Sequence, residues 1–190
     1  DVKTLYVVEQ LGMKQQDGDA HPLSGMTDPN VPTIILAHEA LSDATWTRKL
    51  IHHETGHLFD GMLSGAAVST TARGSDGRLL FGQGRPIEDK TQPVDVSKAD
   101  WTDSYCSTSP CEDLANTHAL VLEMRTAFNQ ANPGHDLLLE SPQLTSAFLS
   151  IALGRKAEAV VTRYQQLLRP EPAGNWMLWS PALFTNTAIS

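Results

Sequence analysis

Apolar and polar positions along the chain form two short strand-like runs followed by longer helical stripes. Residues 3–11 are rich in β-branched and aromatic types, and an apolar run covers 31–38, so both segments are predicted to be strands. The second run does not alternate with polar residues, which indicates burial on both faces. Glycine and proline punctuate residues 12–30, where a loop or hairpin is expected.

The clearest helix follows the second strand. Ser42 or Asp43 can cap its start, apolar residues and histidines recur at helical spacing, and Gly65 is a plausible stop. Gly56 and Gly61 lie inside this helix, where each glycine costs roughly 1 kcal/mol relative to alanine. A glycine kept in such a position indicates close backbone packing or a demand from a nearby site.

The second half of the chain is predicted to be a long loop followed by helices. Residues 66–104 read as a loop region with a short strand or hairpin near 78–82. A helix with one apolar stripe is predicted for residues 111–130. Two more helices are predicted for 143–153 and 155–168, with Gly154 as the break between them. We expect the apolar C-terminal tail to pack on the core.

These elements predict one α+β domain over residues 1–190. Residues 1–65 would supply a small mixed sheet and the first long helix, and 66–190 the long loop region and a mostly helical C-terminal half. We expect this domain to be a monomer. Because the chain begins at Asp1 without a basic, apolar leader, we expect a processed mature protein or an excised domain.

Composition narrows the choice of partners. The chain is 41% hydrophobic, which is enough for a core, and its formal net charge is −8. An acidic surface repels phosphate backbones and anionic lipids, so nucleic acid is an unlikely class of partner. Membrane insertion is not expected either, because no apolar run approaches the ~18 residues of a spanning helix.

Two cysteines, Cys106 and Cys111, lie five positions apart in a loop-like stretch. A disulfide across so short a loop is sterically possible and suits a secreted protein, so we expect this pair to be oxidised and the protein extracellular. The alternative is two thiols in a cytosolic protein. The spacing differs from the C-x-x-C of zinc ribbons and redox motifs.

The chemistry is concentrated in the segment His53-Glu54-Thr55-Gly56-His57, which has the pattern H-E-x-x-H. On a helix, positions i and i+4 lie on one face, so two imidazoles there can each place a nitrogen ~2.0–2.1 Å from one Zn²⁺. Glu54 is one step round the helix, where its carboxylate can act as a general base on a water molecule. The alternative is a surface helix that happens to carry these residues.

A catalytic zinc needs a third protein ligand and an open fourth position. Asp60 shares the helix face but lies further along the axis, and His118 falls on the apolar stripe of its own helix, where a histidine is usually a core residue. Spacing alone does not choose the third ligand among the candidates, which are Asp60, Glu112, Asp113, His118 and His135.

The two blocks His53–Asp60 and Tyr105–Ala115 resemble the zincin metallopeptidases of the gluzincin type. More narrowly, they are similar to the catalytic domain of anthrax lethal factor and to the Pro-Pro endopeptidases, in which H-E-x-G-H-x-x-D is followed by a later glutamate and a tyrosine seven residues before it. The resemblance covers about 20 residues. It implies a zincin-like fold, one catalytic Zn²⁺ and a peptide or protein substrate.

The resemblance also implies residue roles. The zinc ligands would be His53, His57 and Glu112, the general base Glu54, and the donor to the oxyanion Tyr105. Asp60 would orient a histidine ring. The family often has an acid where this chain has Asn116, whose amide oxygen can still accept from an imidazole N–H. Cys111 beside Glu112 is also unusual, and an unoxidised Cys111 would be a competing metal ligand.

The sequence therefore predicts a zinc-dependent endopeptidase. Two alternatives stay open: a toxin- or effector-type protein-binding module with a structural or vestigial zinc, and an exopeptidase. The intact Glu54 favours catalysis, because a purely structural site has no need of a base. No motif for holding a free substrate amine was found, which disfavours the exopeptidase.

Overall fold

A computed structural model of the chain describes residues 4–14, 20–28, 31–61, 67–73, 77, 79–82, 106, 109–140 and 151–168. This part is an α+β fold. Its strands are β1 (Thr4–Val8), β2 (Gly12–Lys14), β3 (Ala20–Pro22), β4 (Gly25–Asp28) and β5 (Thr33–Ala37). Its helices are α1 (Ala44–Gly61), α2 (Val68–Thr71), α3 (Pro110–Ala131) and α4 (Ile151–Leu168).

Strand β5 is the centre of a three-stranded mixed sheet with the order β1-β5-β4. It pairs in parallel with β1 and antiparallel with β4, and β2 and β3 form a separate antiparallel hairpin. Four of the five residues of β5 are buried, which confirms the prediction of a strand covered on both faces. The two predicted strands are confirmed with shorter bounds, and the segment between them contributes β4 as well as the expected hairpin.

Helix α1 begins where its cap predicts. The Oδ1 atom of Asp43 accepts from the backbone N–H of Trp46 at 2.9 Å, so Asp43 satisfies one of the first free N–H groups of the helix. The Thr47 hydroxyl donates to the carbonyl of Ala40 at 2.6 Å, which ties the helix to the 3₁₀ turn after β5. The helix is described as far as Gly61, and the predicted stop at Gly65 lies outside the described residues.

Gly56 lies where α1 and α3 cross. A Cβ built on it would lie 2.7 Å from the Cα of Ala115 and 3.1 Å from the Cβ of His118. Only hydrogen fits in this space, so the glycine allows the two backbones to approach closely. The prediction of close packing at this glycine is confirmed, and the contact brings the first turns of α3 against the middle of α1.

Two apolar clusters hold the layers together. One packs the sheet on α1, with Ile34, Leu36, Ala40, Leu50 and Leu58 buried. The other lies between α1, α3 and α4, and its buried members include Phe59, Phe81, Leu114, Val160 and Tyr164. Helix α1 is thus covered by the sheet on one side and by α3 on the other. Among the described helices, none combines the length and the apolar character that crossing a membrane requires.

The C-terminal helices follow the prediction in part. The stripe predicted for 111–130 is buried on α3, but α4 runs without a break through Gly154, so the predicted break there is wrong. Gly154 is itself buried, and tertiary packing offsets the ~1 kcal/mol that a glycine costs in a helix. The expectations for 143–150 and for the apolar tail lie outside the described residues. Near 78–82 the structure has a single bridge between Arg73 and Leu79.

Candidate metal centre

Helix α1 aims two imidazoles at one point. His53 and His57 are one helical turn apart, and their Nε2 atoms are 3.1 Å from each other. Their rings are nearly perpendicular, at 85°, with centroids 4.8 Å apart. The i, i+4 spacing therefore brings two nitrogen atoms together as the sequence predicts.

Helix α3 supplies a carboxylate to the same point. Ser109 caps α3 by accepting from the backbone N–H of Glu112, which places Glu112 in the first turn. In a capping box this side chain would turn back to Ser109. Instead its Oε2 atom lies 3.1 Å from Nε2 of His53 and 3.3 Å from Nε2 of His57. Of the predicted third ligands, Glu112 is the one that joins the two histidines in a potential metal cluster.

The three atoms fit a tetrahedral cation. Ligand atoms ~2.0–2.1 Å from a tetrahedral zinc ion are separated by about 3.3–3.4 Å, close to the separations found here. The Oε2 atom of Glu112 is buried and has no aligned hydrogen-bond donor among the described groups. A buried carboxylate oxygen without an aligned donor is complemented by positive charge, which a protonated imidazole or a metal cation can supply. A cation held by His53, His57 and Glu112 satisfies this requirement.

Asn116 controls the proton on His53. Its Oδ1 atom lies 2.9 Å from Nδ1 of His53, and because a carbonyl oxygen only accepts, Nδ1 carries the hydrogen. Nε2 of the neutral ring then has its lone pair directed at the cluster. The other end of the amide donates to the sulfur of Cys106 at 3.3 Å. Asn116 therefore lies where the sequence analysis expected a partner for a ligand histidine.

The predicted disulfide is absent from the structure, in which Cys106 and Cys111 are not joined. Cys106 is fully buried behind Asn116, whereas Cys111 is exposed on the first turn of α3 and contacts the hydroxyl of Ser109 at 3.1 Å. Their sulfur atoms have different neighbours, because helix α3 begins between them and directs Cys111 outward. Cys111 is also not among the residues of the metal cluster.

The electrostatics of the cluster follow from burial and close opposite charges. Burial by itself would raise the pKa of Glu112, but the imidazoles of His53 and His57 outweigh it and lower the pKa to about 2. Burial opposes protonation of His53, yet contact with Glu112 and the negative charge of Glu54 raise its pKa. Glu112 is therefore ionised near neutral pH, as a metal ligand must be.

Glu54 lies beside the cluster on a cleft. Its side chain is buried, and burial raises the pKa of its carboxyl group, which makes the carboxylate a stronger base. The cleft has a volume of about 290 Å³. Its walls come from the segment before and into β4, from one face of α1 and from Asn116 of α3. Their residues are Pro22, Leu23, Ser24, Gly25, Trp46, Lys49, Leu50, His53, Glu54 and Asn116.

Gly25 of β4 packs directly against Glu54 in the lining of this cleft. A Cβ at this position would lie 2.8 Å from Oε1 of Glu54, so the absence of a side chain makes room for the carboxylate. Sequence reasoning missed Gly25, because a glycine in a turn-rich segment gave no sign of what it approaches. It also missed the contact of Cys106 with Asn116, which joins residues from two separate elements.

The remaining candidates have other partners. Both carboxylate oxygens of Asp60 accept from Ser69, one from its backbone N–H at 2.9 Å and the other from its hydroxyl. The structure thus differs from the expectation that Asp60 orients a histidine ring, because this carboxylate holds α2 against the end of α1. Asp113 pairs with Lys156, and His135 contacts Glu140. Tyr105 lies outside the described residues.

His118 is a core residue, as its place on the apolar stripe predicts. It is fully buried, with Nδ1 2.8 Å from the carbonyl of His52 and Nε2 2.5 Å from the hydroxyl of Tyr164. Burial lowers its pKa to about 3, so the ring is neutral. The Nδ1 hydrogen is donated to His52, and Nε2 accepts from Tyr164.

Comparison of the chain with protein-family models, with curated proteins and with solved structures finds no match. The functional interpretation therefore rests on the site itself: two imidazoles, two carboxylates and the cleft beside them.

Proposed function

We propose that this protein is a zinc-dependent endopeptidase with a zincin-like fold. The observation that carries the proposal is the meeting of Nε2 of His53, Nε2 of His57 and Oε2 of Glu112 within 3.1–3.3 Å of one another, beside the buried carboxylate of Glu54. The α+β fold, with a mixed sheet packed on the histidine-bearing helix, is compatible with this class.

His53, His57 and Glu112 would hold the zinc ion as its three protein ligands, which leaves a fourth position for solvent or substrate. When bound, zinc supplies Lewis acidity, which polarises a carbonyl group and lowers the pKa of a water molecule toward ~7. Glu54 accepts the proton of the attacking water and delivers it to the amine nitrogen that leaves when the peptide bond breaks. The raised pKa of its carboxyl group suits it to both transfers.

The substrate would lie in the cleft along β4. In the described sheet, β4 is an edge strand that pairs with β5 on one side, so its other edge can add an extended peptide by backbone hydrogen bonds. Gly25 then places the peptide backbone next to Glu54. Tyr105 remains a prediction as the hydrogen-bond donor to the oxyanion, a role typically worth ~3–4 kcal/mol for one donor.

A purely structural zinc is less well supported. Structural sites are usually closed by four protein ligands, whereas the described residues bring together three. The base-like carboxylate of Glu54 at the cleft also has no part in a structural site. These two observations favour hydrolysis over a binding module.

Replacing Glu54 by Gln tests the proposal. We expect the Glu54→Gln variant to bind zinc like the wild type, because this residue is not a ligand, and to lose cleavage of a peptide library by at least ~100-fold, the lower range for a general base. The matched variant Glu112→Gln should instead lose zinc together with activity. Metal content by mass spectrometry and cleavage of peptides with blocked and free ends provide the readouts.

Three outcomes would contradict the proposal. One is a wild-type protein that takes up no zinc, and another is a Glu54→Gln variant that cleaves at the wild-type rate. The third is cleavage only of peptides with a free terminus, which would indicate an exopeptidase.

A further inference from the structure

The cleft beside the metal cluster extends along helix α1 toward its N-terminus. Its lining there includes Leu50, Lys49 and Trp46. They precede His53 by three, four and seven positions, a spacing that places all of them on one face of the helix. Lys49 is one turn before His53, about 6 Å along the helix axis. Because an extended peptide advances ~3.3 Å per residue, a substrate side chain that meets Lys49 belongs to a residue within about two positions of the cleaved bond.

Lys49 is a cation without a partner in the part of the chain that the structure describes. Its side chain is exposed, and its ammonium group makes no hydrogen bond or ion pair with a described residue. The neighbouring Arg48 differs, because its guanidinium group donates to both carboxylate oxygens of Glu123 at 2.9 Å. Arg48 is therefore used within the fold, whereas the charge of Lys49 is available to a ligand.

The chemistry of the lining indicates which ligand fits. Apart from the imidazole of His53, the lining has two charged groups, Glu54 and Lys49, and Glu54 already has a role as the proposed base. The indole of Trp46 is 46% exposed, which leaves a large apolar surface beside this lysine on the same helix face. A cation next to an apolar ring suits a side chain with an aliphatic stem and a terminal negative charge. Among the amino acids, glutamate has this form.

We propose that Lys49 is a specificity-determining residue that selects substrates with a glutamate side chain within about two residues of the cleaved bond. The carboxylate of this glutamate pairs with the ammonium group of Lys49, and its methylene groups pack on Trp46. The inference rests on the proposed endopeptidase activity and names the substrate class of that site.

The charge of the whole chain predicts the opposite preference. With a formal net charge of −8, the protein repels acidic peptides and attracts basic ones. A preference for glutamate would therefore report a local contact in the cleft and not the average field of the molecule.

The test uses pairs of peptides with blocked ends that differ by a single glutamate or glutamine within about three residues of a bond that the wild type cleaves. We expect kcat/KM to be about 5-fold higher for the glutamate peptide at one position, the upper range for one partly exposed ion pair. This ratio should fall to about 1 in Lys49→Gln and should reverse in Lys49→Glu, where two negative charges meet. About 1 M salt should reduce the wild-type ratio, because it screens an exposed pair.

Three further variants separate the contact from other effects. Arg155→Gln removes the same charge from an exposed position of α4 outside the cleft lining, so the preference should be unchanged. Lys49→Arg keeps the charge and should retain most of the preference. Trp46→Ala should lower kcat/KM for both peptides of a pair by the same factor, because glutamate and glutamine share the methylene groups that pack on the indole.

The inference is overturned by a wild type that cleaves both peptides equally at every position, by a preference that survives Lys49→Gln, or by an equal loss in Arg155→Gln. Failure of the proposed function is a different result, in which no peptide is cleaved. Binding of the same peptides to the wild type would then be measured by calorimetry. A glutamate preference abolished by Lys49→Gln would still assign the cleft to an acidic ligand, and its absence would overturn that assignment too.

Discussion

The two sides of helix α3 carry similar polar residues with opposite outcomes. Asp113, which faces α4, and His118, which lies between α1 and α4, are fully buried, and protein groups complement them: Lys156 for the carboxylate, Tyr164 and the His52 carbonyl for the imidazole. On the side that faces α1, Glu112 directs a buried oxygen at two imidazole nitrogens without receiving an aligned donor.

The presence or absence of a complementary group within the chain distinguishes polar residues that stabilise the fold from those proposed to bind a ligand. A buried polar group that finds its complement within the chain stabilises one arrangement of the fold. When both rings are neutral, three converging acceptor atoms do not complement one another, and under the proposed function a metal cation complements them. Glu112 and Asp113 are neighbouring acidic residues with different partners. Their contacts, rather than their residue types, distinguish the one that pairs with a lysine from the one that meets the two imidazoles.

The largest expected effect is the loss of stability when the buried partner of Asp113 is removed. Lys156 donates to both carboxylate oxygens of Asp113, at 2.9 and 2.7 Å, and both side chains are buried. The Lys156→Met change would leave a buried carboxylate without this cation, which typically costs ~3–5 kcal/mol. Urea unfolding should show this loss. The matched control, Arg155→Met at the exposed neighbouring position, should stay within about 0.5 kcal/mol. A Lys156→Met variant as stable as the wild type would contradict this assignment.

The second effect is a dependence of stability on pH, which comes from the buried His118. His118 has a pKa of about 3 in the folded protein and ~6.5 when unfolded, so the unfolded chain binds its proton first as the pH falls. Stability is therefore present above pH ~6.5 and is lost toward pH ~3, by about 3 kcal/mol between pH 7 and 4. The free energy of unfolding of His118→Gln should fall less over this range, by that amount. Parallel pH profiles for the two proteins would refute the prediction.

The metal side should respond to pH with the opposite sign in the metal-free protein. The pKa of His53 is raised by Glu112 and Glu54, so its stabilising contribution is present below pH ~6.5 and is lost as the pH rises through the folded pKa. The difference between the pH profiles of His118→Gln and wild type therefore reports the contribution of His118 without that of His53.

The smallest expected effect concerns the point where α1 and α3 cross. Gly56→Ala adds a Cβ 2.7 Å from the Cα of Ala115, a backbone atom that cannot move away alone. We expect a loss of ~1–3 kcal/mol in the free energy of unfolding, typical of overpacking, and weaker zinc binding because Glu112 moves with α3. Gly61→Ala, at the exposed end of α1, is the matched control: it should leave zinc binding unchanged and should not destabilise the fold, because alanine favours a helix over glycine by up to ~1 kcal/mol.

Local signals in the sequence predicted the parts of the fold that depend on neighbouring residues. The cap at Asp43, the buried strand β5 and the pairing of His53 with His57 all follow from short-range spacing. The position of Gly56 inside a helix predicted a close contact, but the sequence did not identify Ala115 as the partner. The resemblance of motifs, rather than spacing, singled out Glu112.

The features that were not predicted depend on contacts between distant segments. Asp60 binds Ser69, Gly25 approaches Glu54, and Gly154 stays helical because its surroundings are buried. None of these has a local pattern, since each is decided by packing that forms only when the chain is folded. The disulfide was expected from the loop-like spacing of Cys106 and Cys111 and a secreted context, but α3 begins between them and their sulfur atoms are not joined.

The adjacent positions of Glu112 and Asp113 also join the two sides energetically. Because both belong to the first turn of α3, a rotation of that turn that withdraws one carboxylate from the imidazoles would also pull the other from Lys156. Under the proposed function, cation binding at Glu112 would consequently be linked to the docking of α4 at Asp113, and each would strengthen the other by the same free energy.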